Sequence, residues 1–291
     1  MSAKKDFMIG KPRLAAISMD RYTYSSLGAN GRFGNQMFQY AALFSIAKDN
    51  NCDIVIPESV DRKDFPLSGP YEILNAFPDL SATKLPREEL VGSVEQQYRE
   101  SGFSYDQNFR LIKPNVDIHG YFQSEMYFKK FRNELLEEFK FSPDVISSAI
   151  AKVEDFRTFS GCENLCAIHI RRGDYQNNPD YHTNLSGEYY NTAMQHMVTA
   201  FSDVHAVIFS DDIEWCKLNL PAGMSYSNAD SQFEDMCMMS LCDLHIIANS
   251  SFSWWGSWLS NSKRTIAPKA WFGPRGPDNW SSIYREGWYV V

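Results

Sequence analysis

Apolar positions in this chain fall into short blocks and helically spaced sets that alternate along its length. Residues 14–19 read as a short apolar strand. Met37, Tyr40, Ala41, Phe44 and Ala47 follow at helical spacing, and Asp49-Asn50-Asn51 ends that helix. Residues 52–56 predict a second strand, stopped by Pro57. Glycines mark the point where the loop meets the helix. Residues 57–110 are rich in Pro, Gly, Ser and charge and predict irregular structure. Residues 116–122 predict a strand and residues 127–139 a helix of mixed charge. Ser142-Pro143 predicts the capped start of the next helix.

From Asn164 the pattern becomes regular. A strand over 165–170 is followed by a helix with Tyr190, Ala193, Met194, Met197, Val198 and Phe201 on one face. A strand over 206–209 precedes a helix carrying Phe233, Met236, Cys237, Ser240 and Leu241. Strands over 244–248 and 265–267 complete the series. The first three strands end in polar clusters: Arg171-Arg172, Ser210-Asp211-Asp212 and Asn249-Ser250-Ser251. The clusters lie about 40 residues apart, which suits one strand and one crossover helix per unit. Parallel strands bring their C-terminal ends to one sheet edge, where open α/β sheets bind ligands. Three clusters distant in sequence are therefore expected to line one crevice. The G-x-G-x-x-G fingerprint is absent, so side chains rather than a glycine loop must hold the ligand.

Bulk properties narrow the classes. The 291 residues suffice for two domains. With 44% hydrophobic and 22% charged residues, a well-buried core is expected. A net charge of −8 argues against a nucleic-acid surface, so any anion site must be a local basic pocket. The six cysteines show no C-x₂-C pair and read as buried reduced thiols, with no metal site among them. Residues 1–13 are polar and basic rather than a signal peptide, and no run approaches the ~20 apolar residues of a spanning helix. The expectation is a cytoplasmic protein. Peripheral association at the inner face of a membrane, beside lipid-linked glycans, stays open.

The clusters suggest chemistry. Arg171 and Arg172, adjacent at a strand end, should point to opposite faces. One would clamp a phosphate with its fork of donors, while the other braces the loop against a carboxylate such as Asp174. A structural pair of ion-paired arginines is the alternative. Asp211 and Asp212 suit a guanine edge, ribose hydroxyls or a divalent metal, or else a helix N-cap; one can cap while the other binds. Ser250 and Ser251, with the Phe252 and Ser253 backbone, start a helix whose free N–H groups and dipole favour a diphosphate. Trp254 and Trp255 read as core. Gly31-Arg32-Phe33-Gly34-Asn35-Gln36 lets backbone approach a ligand at a second helix start. His169, on the strand itself, is either a hydrogen-bonded core residue or a direct participant.

These segments together resemble the α-1,2-fucosyltransferases of glycosyltransferase family 11. The resemblance is carried by residues 31–41, His169 to Tyr175, Phe209-Ser-Asp-Asp212, and the long segment from Asp235 through Leu259. It implies an α/β, GT-B-like fold of two Rossmann-like domains facing a cleft. Residues 1–150 would form the acceptor side and residues 151–291 the donor side. It further implies GDP-β-L-fucose as donor, inverting transfer to the 2-hydroxyl of a galactose in a glycan, and no metal or other cofactor. Arg171 would be the main diphosphate ligand, with His169 and Asp174 beside the chemistry and Arg172 secondary. Asp211 or Asp212 would face the guanosine, near Ser210 and Asn249. Arg32, Asn35 and Gln36 would close the cleft from the other half. The stretch from Asp20 to Asn30 is longer than the family's usual lead and is expected to shape acceptor choice. The rival readings are an α-1,6- or protein O-fucosyltransferase-like enzyme and a non-catalytic carbohydrate-binding protein on the same fold.

Overall fold

The computed structural model describes residues 20–61 and 69–291. The strand expected at 14–19 lies outside them. The first sheet is built from β1 (Arg21–Thr23), helix α1 (Phe33–Asn50), β2 (Asp53–Pro57), α2 (Ile73–Ala76), β3 (Thr83–Leu85), α3 (Arg87–Leu90), β4 (Gln96–Arg99) and β5 (Val116–His119). Its strands run in the order β3-β2-β1-β5-β4, all parallel. Helices α4 (Arg132–Glu138) and α5 (Pro143–Ser160) then lead to the second sheet. That sheet comprises β6 (Asn164–Ile170), α6 (Gly187–Ala200), β7 (Val204–Ser210), α7 (Ile213–Asn219), β8 (Ser225–Tyr226), α8 (Gln232–Ser240), β9 (Leu244–Ile246), α9 (Ser251–Leu259), β10 (Arg264–Ala267) and β11 (Tyr289–Val290). The order is β11-β10-β9-β6-β7-β8, again all parallel. The molecule is thus α/β with two Rossmann-like sheets, the GT-B-like arrangement. The division placed at residue 150 falls inside α5.

The order reverses once in each sheet. In the second, the chain moves outward from β6 through β7 to β8, then returns beside β6 as β9. In the first, it moves outward from β1 through β2 to β3, and β5 returns beside β1. Such switch points open a crevice at the strand C-termini. Arg171 follows β6 and Ser250 precedes α9 after β9, so both sit at the second sheet's crevice. The 31–35 loop follows β1 and Tyr121 follows β5, at the first sheet's crevice.

One core joins the halves. Helix α1 is buried from Phe33 to Ala47 on nearly every side, as expected of an apolar helix enclosed by protein. Asn51 ends it in the left-handed conformation, at φ 52°. The expected core role of the tryptophans holds: Trp254, Trp255 and Trp258 of α9 are fully buried. Trp254 and Trp255 pack on Phe38 of α1 at 4.5 and 5.0 Å between ring centres. Each indole N–H finds an acceptor: Ile283 O, Gly34 O and Glu125 Oε1 respectively.

Several local expectations need correction. Residues 57–110 are not wholly irregular, since β3 and β4 pair there. These strands of three and four residues are too short and too exposed to show an apolar alternation. β1 lies inside the stretch read as a loop from Asp20 to Asn30. The helix expected over 127–139 is α-helical only from Arg132, with 3₁₀ turns before it. Phe128, stacked on Trp255 at 5.4 Å, lies between the two 3₁₀ turns at φ −140° and ψ 0°, outside the helical region. Pro143 does begin α5, but the Ser142 side chain makes no capping bond.

Candidate functional site

A cleft of about 1050 Å³ runs between the two sheets' C-terminal edges. Its floor is formed where two helices begin. α9 starts at the N-cap Ser250, whose Oγ accepts from Phe252 N at 3.3 Å. α1 starts at Arg32, from the other sheet. Neither first turn holds an acidic residue, so both positive helix ends stay uncompensated. The two starts touch. A Cβ on Gly34 would stand 2.7 Å from the Ser251 carbonyl carbon and 2.8 Å from Phe252 N. Glycine is what permits this approach. Gly31 lies at φ +83°, in the left-handed region, and turns the chain into α1.

Arg171 reaches this floor from the end of β6. Its guanidinium is held by Asp174 Oδ1 at 2.6 Å and Asp211 Oδ2 at 2.9 Å, and Asp174 also meets Arg32 at 3.4 Å. Arg172 points the other way, as strand alternation requires, and does not line the cleft. Its Nε pairs with Asp212 at 3.1 Å and its guanidinium lies 4.1 Å from the centre of the Trp215 ring. The bracing carboxylate of Arg172 is therefore Asp212, and Asp174 belongs to Arg171.

Further corrections follow from hydrogen bonds. Asp212 is the N-cap of α7: its Oδ1 accepts from Trp215 N at 3.1 Å. This bond, with Arg172, holds its pKa below the ordinary carboxylate value. With both oxygens engaged outside the cleft, Asp212 does not face a nucleoside. Gln36 is also withdrawn. Its Oε1 accepts from Glu72 N and Ile73 N at 2.9 and 3.1 Å, and its Nε2 donates to Pro70 O at 2.8 Å. It fastens the 70–73 turn instead of closing the cleft. Ser253 Oγ is fully buried against the carbonyls of Ala248 and Ser250.

The other expected residues do converge. Arg32, Asn35, His169, Asp174, Ser210, Asp211, Asn249, Ser250, Ser251 and Phe252 all line the cleft. Asn35 Oδ1 accepts from Gln123 Nε2 at 2.6 Å, and Asn249 Nδ2 donates to the carbonyls of Thr183 and Trp271. His169 is buried, its ring 5.3 Å from that of Phe252, and its Nδ1 has no protein partner. Burial and the neighbouring Arg171 push its pKa down to about 3, so it is neutral at ordinary pH.

Sequence reasoning missed several lining residues. Asp235 in α8 enters beside Gln232, with Ser227 Oγ donating to one carboxylate oxygen at 2.5 Å. Burial raises its pKa. Its position on the polar side of a helical run was the available signal. The cleft is also lined by Phe103, Tyr121, Tyr181, His182 and Phe272, from loops that carry no periodic pattern. A second depression, of about 690 Å³ between residues 101–108 and 277–279, has none of these cationic groups. Among the described residues, no three His, Cys, Asp or Glu side chains gather as metal ligands, and no helix is long and apolar enough to cross a membrane.

Fold and site thus define a GT-B-like α/β protein whose halves meet at a cleft holding Arg171 and two helix N-termini. The profile of Glycosyl transferase family 11 matches residues 12–291, and the chain belongs to that family of glycosyltransferases. It is 30% identical to an alpha-1,2-colitosyltransferase of Escherichia coli, over 83% of this chain and 90% of that protein. It is 26% identical to galactoside alpha-(1,2)-fucosyltransferase 2 of Bos taurus, over 82% of this chain and 69% of that protein. Among solved structures, NodZ alpha-1,6-fucosyltransferase soaked with GDP-fucose superposes with a TM-score of 0.48 at 14% identity, covering 89% of this chain and 97% of that one.

Proposed function

We propose that this glycosyltransferase moves L-fucose from GDP-β-L-fucose to the 2-hydroxyl of a galactose residue in a glycan, with inversion. The observation that carries the reading is the cradle: Arg171 stands over two helix N-termini that meet at Gly34 and Ser251. A nucleoside diphosphate is the ligand whose charge such a floor fits. In this reading the diphosphate takes the place of Asp174 on Arg171. The guanine edge meets the Asp235 carboxylate and the neutral His169, at the end where Ser210 and Asp211 lie.

The acceptor oxygen attacks C1 from the face opposite GDP. The new C1–O bond forms as the C1–O bond to phosphate breaks, and GDP leaves with the electron pair. The transition state resembles an oxocarbenium ion. Charge growing on the diphosphate is met by Arg171 and by N–H donors already in place. The acceptor's proton passes to a cleft carboxylate such as Asp174, once released from Arg171, or to water. No metal enters this scheme, and a cytoplasmic location goes with it.

The test is turnover of GDP-fucose with lactose or a type 1 galactoside in the presence of EDTA, with linkage typed by NMR. An α-1,2-fucosylated product is expected. GDP release with no fucosylated galactoside would overturn the acceptor assignment, and loss of activity to EDTA would overturn metal independence. The colitosyltransferase relative favours a second donor reading. Colitose is fucose lacking its 3-hydroxyl, so the same assay is run with GDP-colitose, and the higher kcat/KM names the donor.

A further inference from the structure

Part of the cleft is walled by aromatic rings contributed by both sheets. Tyr121, after β5, stacks on Phe103, after β4, with ring centres 5.1 Å apart and planes 26° apart. Phe103 meets the edge of Phe272 at 5.0 Å, and Phe272 meets Tyr181 at 5.7 Å. Phe272 is fixed from behind by Trp280 at 5.8 Å, and an isolated bridge ties its backbone to His182. Gln123, hydrogen-bonded to Asn35, places an amide beside this wall. The rings thus pack on one another and line the same cleft as Arg171.

We propose that Phe103, Tyr121, Tyr181 and Phe272 form the acceptor subsite, and that it takes a galactopyranoside by its apolar face. This rests on the fucosyl-transfer reading above and names where its acceptor sits. The acidic groups Asp211 and Asp235 are matched to the nucleoside and Arg171 to the diphosphate, which leaves the aromatic rings for the attacking sugar. A ring that is polar at its rim and apolar on one face suits aromatic carbons flanked by an amide. The axial 4-hydroxyl of galactose clears C3–H, C4–H and C5–H into one continuous apolar face. In glucose the equatorial 4-hydroxyl breaks that face. Tyr121 is the ring to remove. It is half-buried, its backbone N–H to Glu100 survives substitution, and the ring contact it loses is with Phe103.

The test is saturation-transfer NMR on the GDP-saturated protein with lactose, in wild type, Tyr121→Ala and Tyr121→Phe. Saturation is expected to be strongest on galactose H3, H4 and H5. Titrating that signal, lactose affinity should fall about tenfold in Tyr121→Ala, with the saturation lost from galactose H3, H4 and H5, and should be kept in Tyr121→Phe. Tyr121→Ala should likewise raise the KM for lactose about tenfold with a smaller change in kcat, and Tyr121→Phe should keep the wild-type KM. Unchanged saturation in Tyr121→Ala, saturation centred on the glucose ring, or no lactose binding by the wild type would each overturn the subsite. Lactose bound in this way but never fucosylated would leave the subsite standing and count against the transfer reading alone.

Discussion

Gly34→Ala is the sharpest test of the cradle. The residue is helical, so alanine by itself should favour α1 by ~1 kcal/mol. The packing says the opposite. The new Cβ would lie 2.7 Å from the Ser251 carbonyl carbon and 2.8 Å from Phe252 N, against an ordinary contact beginning at 3.4 Å. These are backbone atoms and cannot rotate away, so the helix starts must part by about 0.7 Å. Overpacking of this kind costs ~1–3 kcal/mol, leaving a net loss of up to ~2 kcal/mol after the propensity gain. In a chain of this size that is a fall of up to roughly 3 °C in Tm. The functional loss should be larger. Displacing fixed phosphate donors by most of an ångström approaches a ~10² loss of rate. Calorimetric GDP affinity, transfer rate and Tm are measured on the same preparation. Wild-type GDP affinity and turnover in a folded Gly34→Ala protein would refute the claim that the two helix starts act as one anion site.

Other consequences are direct. Arg171→Ala should lower transfer by ~10²–10³ with a small change in Tm, while Arg172→Ala, which loses Asp212 and Trp215, should show the reverse balance; equal effects on turnover would remove the distinction. Acid stability should be set in part by two buried histidines, His169 with its pKa lowered to about 3 and His245 with its pKa lowered to about 4, in both cases first by burial. The unfolded chain binds these protons near 6.5 and the folded chain does not, so stability is full above that pH. It falls as pH drops toward 4, by ~1.4 kcal/mol per unit for each histidine. Glu100, raised to about 7 by burial, has the opposite slope and loses its contribution as pH rises through that value. Thermal unfolding from pH 4 to 8 for wild type and His245→Gln checks the first slope, which the variant should flatten.

The alternation of strands and helices after Asn164, the parallel sheet, the buried tryptophans and the convergence of Arg171, Asp211 and Ser250 were all legible in the chain. Each follows from a local cause. A short apolar run such as Leu165-Cys-Ala-Ile168, stopped by Arg171-Arg172-Gly173, fits a strand buried on both faces, and strand ends in parallel units share an edge. Adjacent arginines must diverge, so one was bound to leave the cleft.

Which one left was decided by tertiary structure. Asp212 had two plausible fates, and only the placement of Trp215 N and Arg172 made it a cap. Gln36 sits in a motif full of cleft residues, yet its helical phase turns it toward Pro70 and Ile73. The short edge strands β3 and β4 exist because a neighbouring strand offers hydrogen bonds, a cause invisible within three or four residues. The aromatic wall joins positions 103, 121, 181 and 272, which no periodicity links. Sequence determines what a segment can bury and where a helix can begin. Which polar groups remain free for a ligand depends on partners brought in from far along the chain, and that is settled only when the two sheets close on one another.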